Sequence, residues 1–213
     1  MRRDANSGIL LIGASIVSLL ALLWHPTNLL SAGDNFSRQA AFAIGVHAIE
    51  IGAVVLIFTG LLALHRRLGS TPDVSAAGLV AYGVSTIAMM FAAAVSGFVG
   101  TSLAGRYRGA DEATQHLIHE IFHYNAMLNQ TFAKVGFFAA AVALVLWSVA
   151  MLKGKSFSRG LGITGLVVGL GILIGLLTGP VVLGVHAVLL LVFGQVVWTV
   201  WVGVELMRQS PAR

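Results

Sequence analysis

The residues best suited to chemistry are the histidines, of which the chain has seven, and the carboxylates near them. The most informative pattern is His119-Glu120-Ile121-Phe122-His123. On a helix, His119 and His123 share one face, and Glu120 is rotated towards a metal-bound water as a general base. Glu120 and His123 also have the spacing of half a di-iron carboxylate motif. The pattern predicts a divalent metal site (zinc, iron or copper), with His119 and His123 as ligands and Glu120 as a catalytic base.

A catalytic zinc needs a third protein ligand. Candidates elsewhere in the chain are His25, His47, His186 and Glu50. Glu50 stands out because it lies inside an apolar run, where a charged residue costs about 2.5–3.5 kcal/mol on insertion scales and marks a functional site by default. It follows His47 by three residues, so a helix places both on one face. We therefore expect Glu50 and His47 to act together, as metal ligands, as a catalytic pair or as a proton relay.

His47 and His186 have a second interpretation. Each is expected near the start of an apolar run, at a similar depth on parallel helices. Two imidazoles at one depth could both ligate a metal or serve as the axial ligands of a haem b iron. The sequence therefore leaves a haem b protein open beside a metal site of other composition.

Long apolar runs must position these residues. The chain is 57% hydrophobic and only 10% charged, whereas soluble domains carry about 25% charged residues. A chain so poor in charge needs lipid as its main solvent, so we predict an all-α, polytopic membrane helix bundle in a single domain over residues 1–213. Six transmembrane helices are expected, at about 8–24, 39–64, 74–104, 125–152, 161–177 and 181–207, with a polar helix on the outer face at 110–124.

The basic residues fix an expected orientation. With both termini in the cytoplasm, nine lysines and arginines fall inside and three outside, as the positive-inside rule requires. The formal charge of +5 is then explained by anionic lipid, and nucleic-acid binding is excluded because no basic run exceeds two residues. The nine are Arg2, Arg3, Arg66, Arg67, Lys153, Lys155, Arg159, Arg208 and Arg213, and the three are Arg38, Arg106 and Arg108.

The fifth apolar run is rich in glycine. Gly165 with Gly169, and Gly171 with Gly175, have the small-xxx-small spacing that lets membrane helices approach closely. This pattern predicts helix packing within the chain and, as a further option, a homo-oligomer formed through this helix.

Two resemblances follow from short motifs. The five residues at 119–123 resemble the zincin motif, which implies a metal-dependent hydrolase; nothing else in the chain matches that family. Three other segments resemble small uncharacterised bacterial six-helix inner-membrane proteins, which implies a bacterial inner membrane and no particular activity. These segments are His25-Pro26-Thr27, Leu128-Asn129-Gln130 and Gly194-Gln195-Val196-Val197-Trp198.

Three functions remain open from the sequence. The first is a membrane metalloprotein, either a metal-dependent hydrolase or an oxidoreductase. The second is a haem b electron-transfer or quinone-linked subunit that uses His47 and His186. The third is a non-enzymatic small transporter or assembly partner in which Glu50 and His47 relay a proton.

Overall fold

The computed structural model describes residues 2–25, 35–69, 71–107, 109–178 and 183–208, with the backbone alone for Arg2, Arg3, Val185 and His186. Over these residues the chain is helical and has no strand, and six segments are long and apolar enough to cross a membrane. The predicted all-α, multi-pass membrane protein is therefore confirmed. The helices are α1 (Arg2–Leu23), α2 (Phe36–Arg67), α3 (Pro72–Ala94), α4 (Thr101–Arg106), α5 (Glu112–Lys153), α6 (Arg159–Thr178) and α7 (Val185–Arg208).

The polar segment 110–124 is not a separate helix, because it forms the first turns of α5. Asp111 begins this helix by accepting a hydrogen bond from the backbone N–H of Thr114 at 2.8 Å. Within α5, no proline or glycine occurs between its first residue, Glu112, and Gly136. At 1.5 Å per residue α5 is about 63 Å long, roughly twice the thickness of a bilayer core. The histidine-rich turns therefore extend beyond the apolar part of the same helix.

A π-helical segment, Val95–Gly100, joins α3 to α4, so that Pro72–Arg106 is one continuous span. The wider turn leaves the Val95 carbonyl to accept a hydrogen bond from the Asn125 side chain of α5 at 3.2 Å. π-Helical turns inside α-helices occur frequently at functional sites. This segment contacts α2 and α5.

The helices form a ring in which α1 packs against α2, α2 against α3, α3 against α5, and α5 against α6. The ring closes where α7 packs extensively against α1, while its contact with α6 is slight. Gly8 and Gly203 allow the close approach of α1 and α7, since a Cβ on Gly8 would lie 2.5 Å from the Gly203 carbonyl oxygen. The ring encloses a space between the helices.

The glycines of α6 belong to two different surfaces. Gly165 and Gly169 face α5: a Cβ on Gly169 would lie 3.0 Å from the Ala141 carbonyl oxygen, and one on Gly165 would overlap Ser148 and Trp198. The sequence prediction of helix packing is met by this pair. Gly171 and Gly175 have nothing within 4 Å of such a Cβ.

The half of the bundle nearest the α2–α3 and α5–α6 connections is closely packed. Trp147 and Trp198 are both fully buried and stack with ring centroids 6.1 Å apart. Tyr82 lies 5.7 Å from the Trp147 ring, and the Trp147 indole N–H donates to the Ser75 carbonyl at 3.1 Å. We call Tyr82, Trp147 and Trp198 the aromatic layer. Together with buried leucines of α1, α2, α5 and α7, it separates the two ends of the bundle.

The two ends differ in charge. The end with the α2–α3 and α5–α6 connections, here the basic end, carries Arg66, Arg67, Lys153, Lys155, Arg159 and Arg208. The opposite end, where α1 terminates before His25, is the histidine end. Arg108, Arg213, Pro26 and Thr27, which contributed to the sequence analysis, lie outside the described residues.

Candidate functional site

A cavity of about 270 Å³ lies inside the ring, between the aromatic layer and the histidine end. Helices α1, α2, α3, α5 and α7 line it, together with Ser96 of the π-helical segment and Leu183 before α7. Its walls mix aliphatic side chains with polar ones, which is the usual composition of a small-molecule site. Among the described residues, His25, His47 and Glu50 meet at this cavity, whereas the other predicted site residues with described side chains do not.

His25 and His47 form the most specific contact in the cavity wall. Their Nε2 atoms lie 3.0 Å apart, with the rings edge-on at 70° and centroids 4.7 Å apart. His47 is buried, and its Nδ1 lies 2.7 Å from the Ala43 carbonyl oxygen. Because a carbonyl only accepts, Nδ1 of His47 carries a hydrogen and donates it. In neutral His47, Nε2 is then an acceptor, and the hydrogen between the rings belongs to His25.

This pair can hold one excess proton. The hydrogen between the two Nε2 atoms can lie on either ring without breaking the contact. A second excess proton would place hydrogens on both facing nitrogens, which would repel. The pair can therefore hold one excess proton, but not two, between the histidine end and the buried interior.

The π-helical segment holds His47 in place. Gly97 lies directly against the imidazole, and a Cβ at this position would overlap the His47 ring. Only glycine permits this approach of backbone to ring. With Nδ1 bonded to Ala43 and Gly97 packed against the Cβ, Cγ and Nδ1 atoms, His47 has little freedom to turn away from His25.

Glu50 lies one turn along α2 from His47 and lines the same cavity. The Ser18 hydroxyl donates to one carboxylate oxygen, Oε2, at 2.9 Å. The other oxygen, Oε1, is buried and has no hydrogen-bond partner among the described residues. The Nε2 of Gln195, on α7, is in the same condition. Unsatisfied buried polar atoms are rare and call for an explanation, such as a ligand, a water or a catalytic role.

The polar surface of the cavity continues along α1 and then stops. Ser15 and Ser18, three residues apart, share one face of α1, and His25 follows just beyond the end of this helix. The Ser15 and Thr199 hydroxyls are 2.9 Å apart. Past them lie Leu11 and the aromatic layer, where the interior is apolar. The polar path therefore reaches from the histidine end to mid-bundle only.

A side-chain clamp closes the cavity beside α7. Gln130 of α5 donates to the Leu183 carbonyl at 3.1 Å and accepts from the Leu183 backbone N–H at 3.0 Å. Both ends of the amide are thus used to fix the chain that leads into α7. Leu183 is buried and lines the cavity.

The residues of the HExxH motif lie elsewhere. His119, Glu120 and His123 are exposed on the extended part of α5, and none of them lines the cavity. Among the described residues, no three His, Cys, Asp or Glu side chains form a group that could hold a metal ion. The His186 side chain lies outside the described residues, so its approach to His47 stays a prediction. The metal site at 119–123 and the haem b alternative likewise stay predictions.

Sequence reasoning treated His25 only as a spare ligand and did not pair it with His47. The available signal was the three- and seven-residue spacing of Ser15, Ser18 and His25 at the end of the first apolar run, which matches the polar residues Glu50 and His47 of the following helix. Searches against protein-family models, curated proteins and solved structures return no match to this chain. The site must therefore be interpreted from its own geometry.

Proposed function

We propose that this protein is a small proton-coupled membrane transporter whose solute binds in the cavity inside the ring of helices. The observation that carries the proposal is the state of Glu50, a buried carboxyl group with one hydrogen-bonded oxygen and one bare oxygen, at the wall of a ligand-sized cavity. Ionisable groups inside a membrane commonly mark proton relays and transport paths. The coupling proton is held by Glu50 and by the pair His25–His47.

The proposed proton path begins at the histidine end. His25 exchanges a proton with water, and the hydrogen shared with His47 shifts between the two Nε2 atoms, which are 3.0 Å apart. Water in the cavity carries the proton between this pair and Glu50, one helical turn away. The aromatic layer blocks passage towards the basic end in this conformation. A transporter must alternate access to the two ends, so this conformation is the one with its site near the histidine end.

The proposed orientation places the basic end in the cytoplasm, with both termini inside, in accordance with the positive-inside rule. The histidine end and the cavity then face outward. A bacterial inner membrane is the proposed location, in line with the short-motif resemblance.

The contacts of His47 favour a proton function over metal or haem ligation. Nδ1 is bonded to Ala43, and Nε2 faces His25, so both ring nitrogens are engaged. Axial ligation of a haem iron by His47 would require His25 to leave. Sharing one proton between the two rings uses the contact as it stands.

The test measures charge movement and needs no knowledge of the solute. Proteoliposomes adsorbed on a solid-supported membrane are exposed to a pH jump, and the transient current is recorded. In Glu50→Gln we expect the current to fall by about tenfold or more, because glutamine cannot bind the proton. Glu205→Gln, at the basic end, is the matched control and should keep the wild-type current per molecule. A wild-type current in Glu50→Gln would refute the relay.

A further inference from the structure

The charged and titratable groups at the cavity wall are few. Glu50 is the only acidic residue there, and no lysine or arginine contributes to the wall within the described residues. The other titratable side chains are His25 just after α1, His47 from α2 and Tyr82 from α3; α5 and α7 contribute none among the side chains that are described. Because Glu50 is the only carboxyl group in the described wall, the cavity is electrostatically suited to one positive charge.

The contacts of Glu50 identify the state in this structure. An ionised carboxylate beside apolar side chains is costly when few groups of the protein donate to it. Only the Ser18 hydroxyl donates to this group in the described structure. These contacts suit the protonated acid better than the carboxylate.

Resting on the proposed function, we infer that the solute is a small alkylammonium cation, exchanged one for one against the proton of Glu50. The cation enters from the histidine end, and its N–H groups donate to the carboxylate. The O–H bond of Glu50 breaks, and its proton passes to cavity water and leaves at the histidine end by exchange with His25. The alkylammonium ion keeps its own protons, so one positive charge replaces another.

An ammonium group fits this wall better than a metal ion or an anion. Metal ions such as calcium or magnesium need about six oxygen ligands, and the described structure offers no clustered carboxylates. An ammonium group brings three N–H donors of its own, which suit an oxygen without a donor. An anion would meet the Glu50 carboxylate with no lysine or arginine beside it. The carboxylate therefore selects a hydrogen-bonding cation.

The size and the walls of the cavity set the rest of the solute. A volume of about 270 Å³ is just below the usual range for drug-sized ligands, so the solute is small. Aliphatic and aromatic side chains, including Ile57, Phe137 and Val192, form much of the wall. An alkyl chain buried there should tighten binding by roughly fourfold for each methylene group. Butylammonium should therefore bind more tightly than methylammonium.

The experiment is isothermal titration of detergent-purified full-length protein with butylammonium chloride, in two buffers of different ionisation enthalpy. The difference between the buffers gives the number of protons released. We expect binding with release of about one proton per cation, since one carboxyl group is exchanged. Methylammonium should bind more weakly, and sodium, tetramethylammonium and acetate should not compete. Glu50→Gln should abolish the proton release, while Glu205→Gln should not change it.

The outcomes separate this inference from the proposed function. Absence of butylammonium binding in protein that still gives the Glu50-dependent current after a pH jump would overturn the solute class and leave the proton relay standing. Equal competition by sodium or acetate would also overturn the solute class. Loss of the current itself, as defined above, concerns the relay and not the solute.

Discussion

Glu50 and Glu205 are both glutamates within membrane-spanning helices, and the structure satisfies them to different degrees. Glu205 is buried, and both of its oxygens accept hydrogen bonds from Ser158, one from the backbone N–H at 2.9 Å and one from the hydroxyl. The same hydroxyl accepts from the Leu161 N–H at 3.3 Å, so the group completes the start of α6. Glu50 has a single donor, Ser18, and one bare oxygen.

The difference divides the bundle into two halves. Towards the basic end, the aromatic layer fills the interior and both Glu205 and the Trp147 indole are hydrogen-bonded, although Ser148 Oγ and the Trp198 indole N–H have no partner among the described residues. The unsatisfied atoms of Glu50 and Gln195 differ from these because their residues line a cavity, which is typical of a site adapted to something that binds there. Removing a well-packed or hydrogen-bonded side chain towards the basic end should therefore lower the free energy of unfolding. Replacing an unsatisfied polar side chain at the cavity should leave it unchanged or raise it.

The largest effect is expected for Trp198→Ala. The indole is fully buried against Trp147, so its loss should lower the free energy of unfolding by about 3–5 kcal/mol. Gln195→Leu, three residues earlier on α7, is the comparison. Its amide nitrogen is buried without a partner, so an apolar replacement of similar size should be neutral or stabilising. Equilibrium unfolding in mixed micelles measures both; equal losses would remove the distinction between the halves.

The two glutamates give the next contrast. Glu205→Gln replaces one of two acceptors by an NH₂ group that faces the donors of Ser158, and should lower the free energy of unfolding by about 1–3 kcal/mol. In Glu50→Gln, the glutamine carbonyl oxygen can still accept the hydrogen bond from Ser18. We therefore expect the free energy of unfolding to change by no more than about 0.5 kcal/mol. The same unfolding assay applies. A larger loss in Glu50→Gln would identify its carboxyl group as structural.

Alanine substitutions of glycines in α6 test how closely this helix packs against α5 and α7. In Gly165→Ala, the added Cβ would overlap Ser148 and Trp198. Overpacking of this kind should lower the free energy of unfolding by about 1–3 kcal/mol. Gly171→Ala is the matched control on the same helix, since nothing lies within 4 Å of its Cβ. That variant should unfold no more readily than wild type in dilute micelles. Destabilisation of both would mean that Gly171 also faces a neighbour, as a homo-oligomer would require.

The helices were predictable from sequence because the absence of charge over long runs leaves few alternatives in a membrane. The two glycine pairs of α6 show the limit of such patterns. Their spacing is the same, and it cannot tell that Gly165 and Gly169 face α5 while Gly171 and Gly175 do not. That distinction depends on how the helix is rotated within the ring, which is a tertiary property.

The candidate site was predicted in part. The sequence placed Glu50 and His47 on one face because their spacing is local to α2. It could not pair His47 with His25, because that contact joins two helices and depends on the close approach of Gly97. The HExxH motif predicted a metal site because its spacing is also local. A local spacing places side chains on one face but does not bring them against other helices, and these remain exposed on α5.

The smallest effect is expected at the start of α5, which has neither the core of the basic end nor the cavity. The Thr114 backbone N–H bonds to Asp111 and lowers the pKa of this carboxyl group below its usual range. Stability from this bond is present above the unfolded pKa of about 3.9 and is lost as pH falls through the lower, folded value. Acid should therefore increase amide exchange, corrected for intrinsic rate, in the first turn of α5 only.

Two variants separate the Asp111 cap from general acid effects. Asp111→Ala should show the increased exchange of the first turn already at neutral pH, because alanine caps helices poorly. Asp111→Asn keeps an acceptor for Thr114 but has no proton to gain, so its exchange should not depend on acid. Acid-induced exchange in the asparagine variant equal to that of wild type would assign the effect to other groups. In none of these proteins should exchange around Trp147 change, because this residue is fully buried in the aromatic layer.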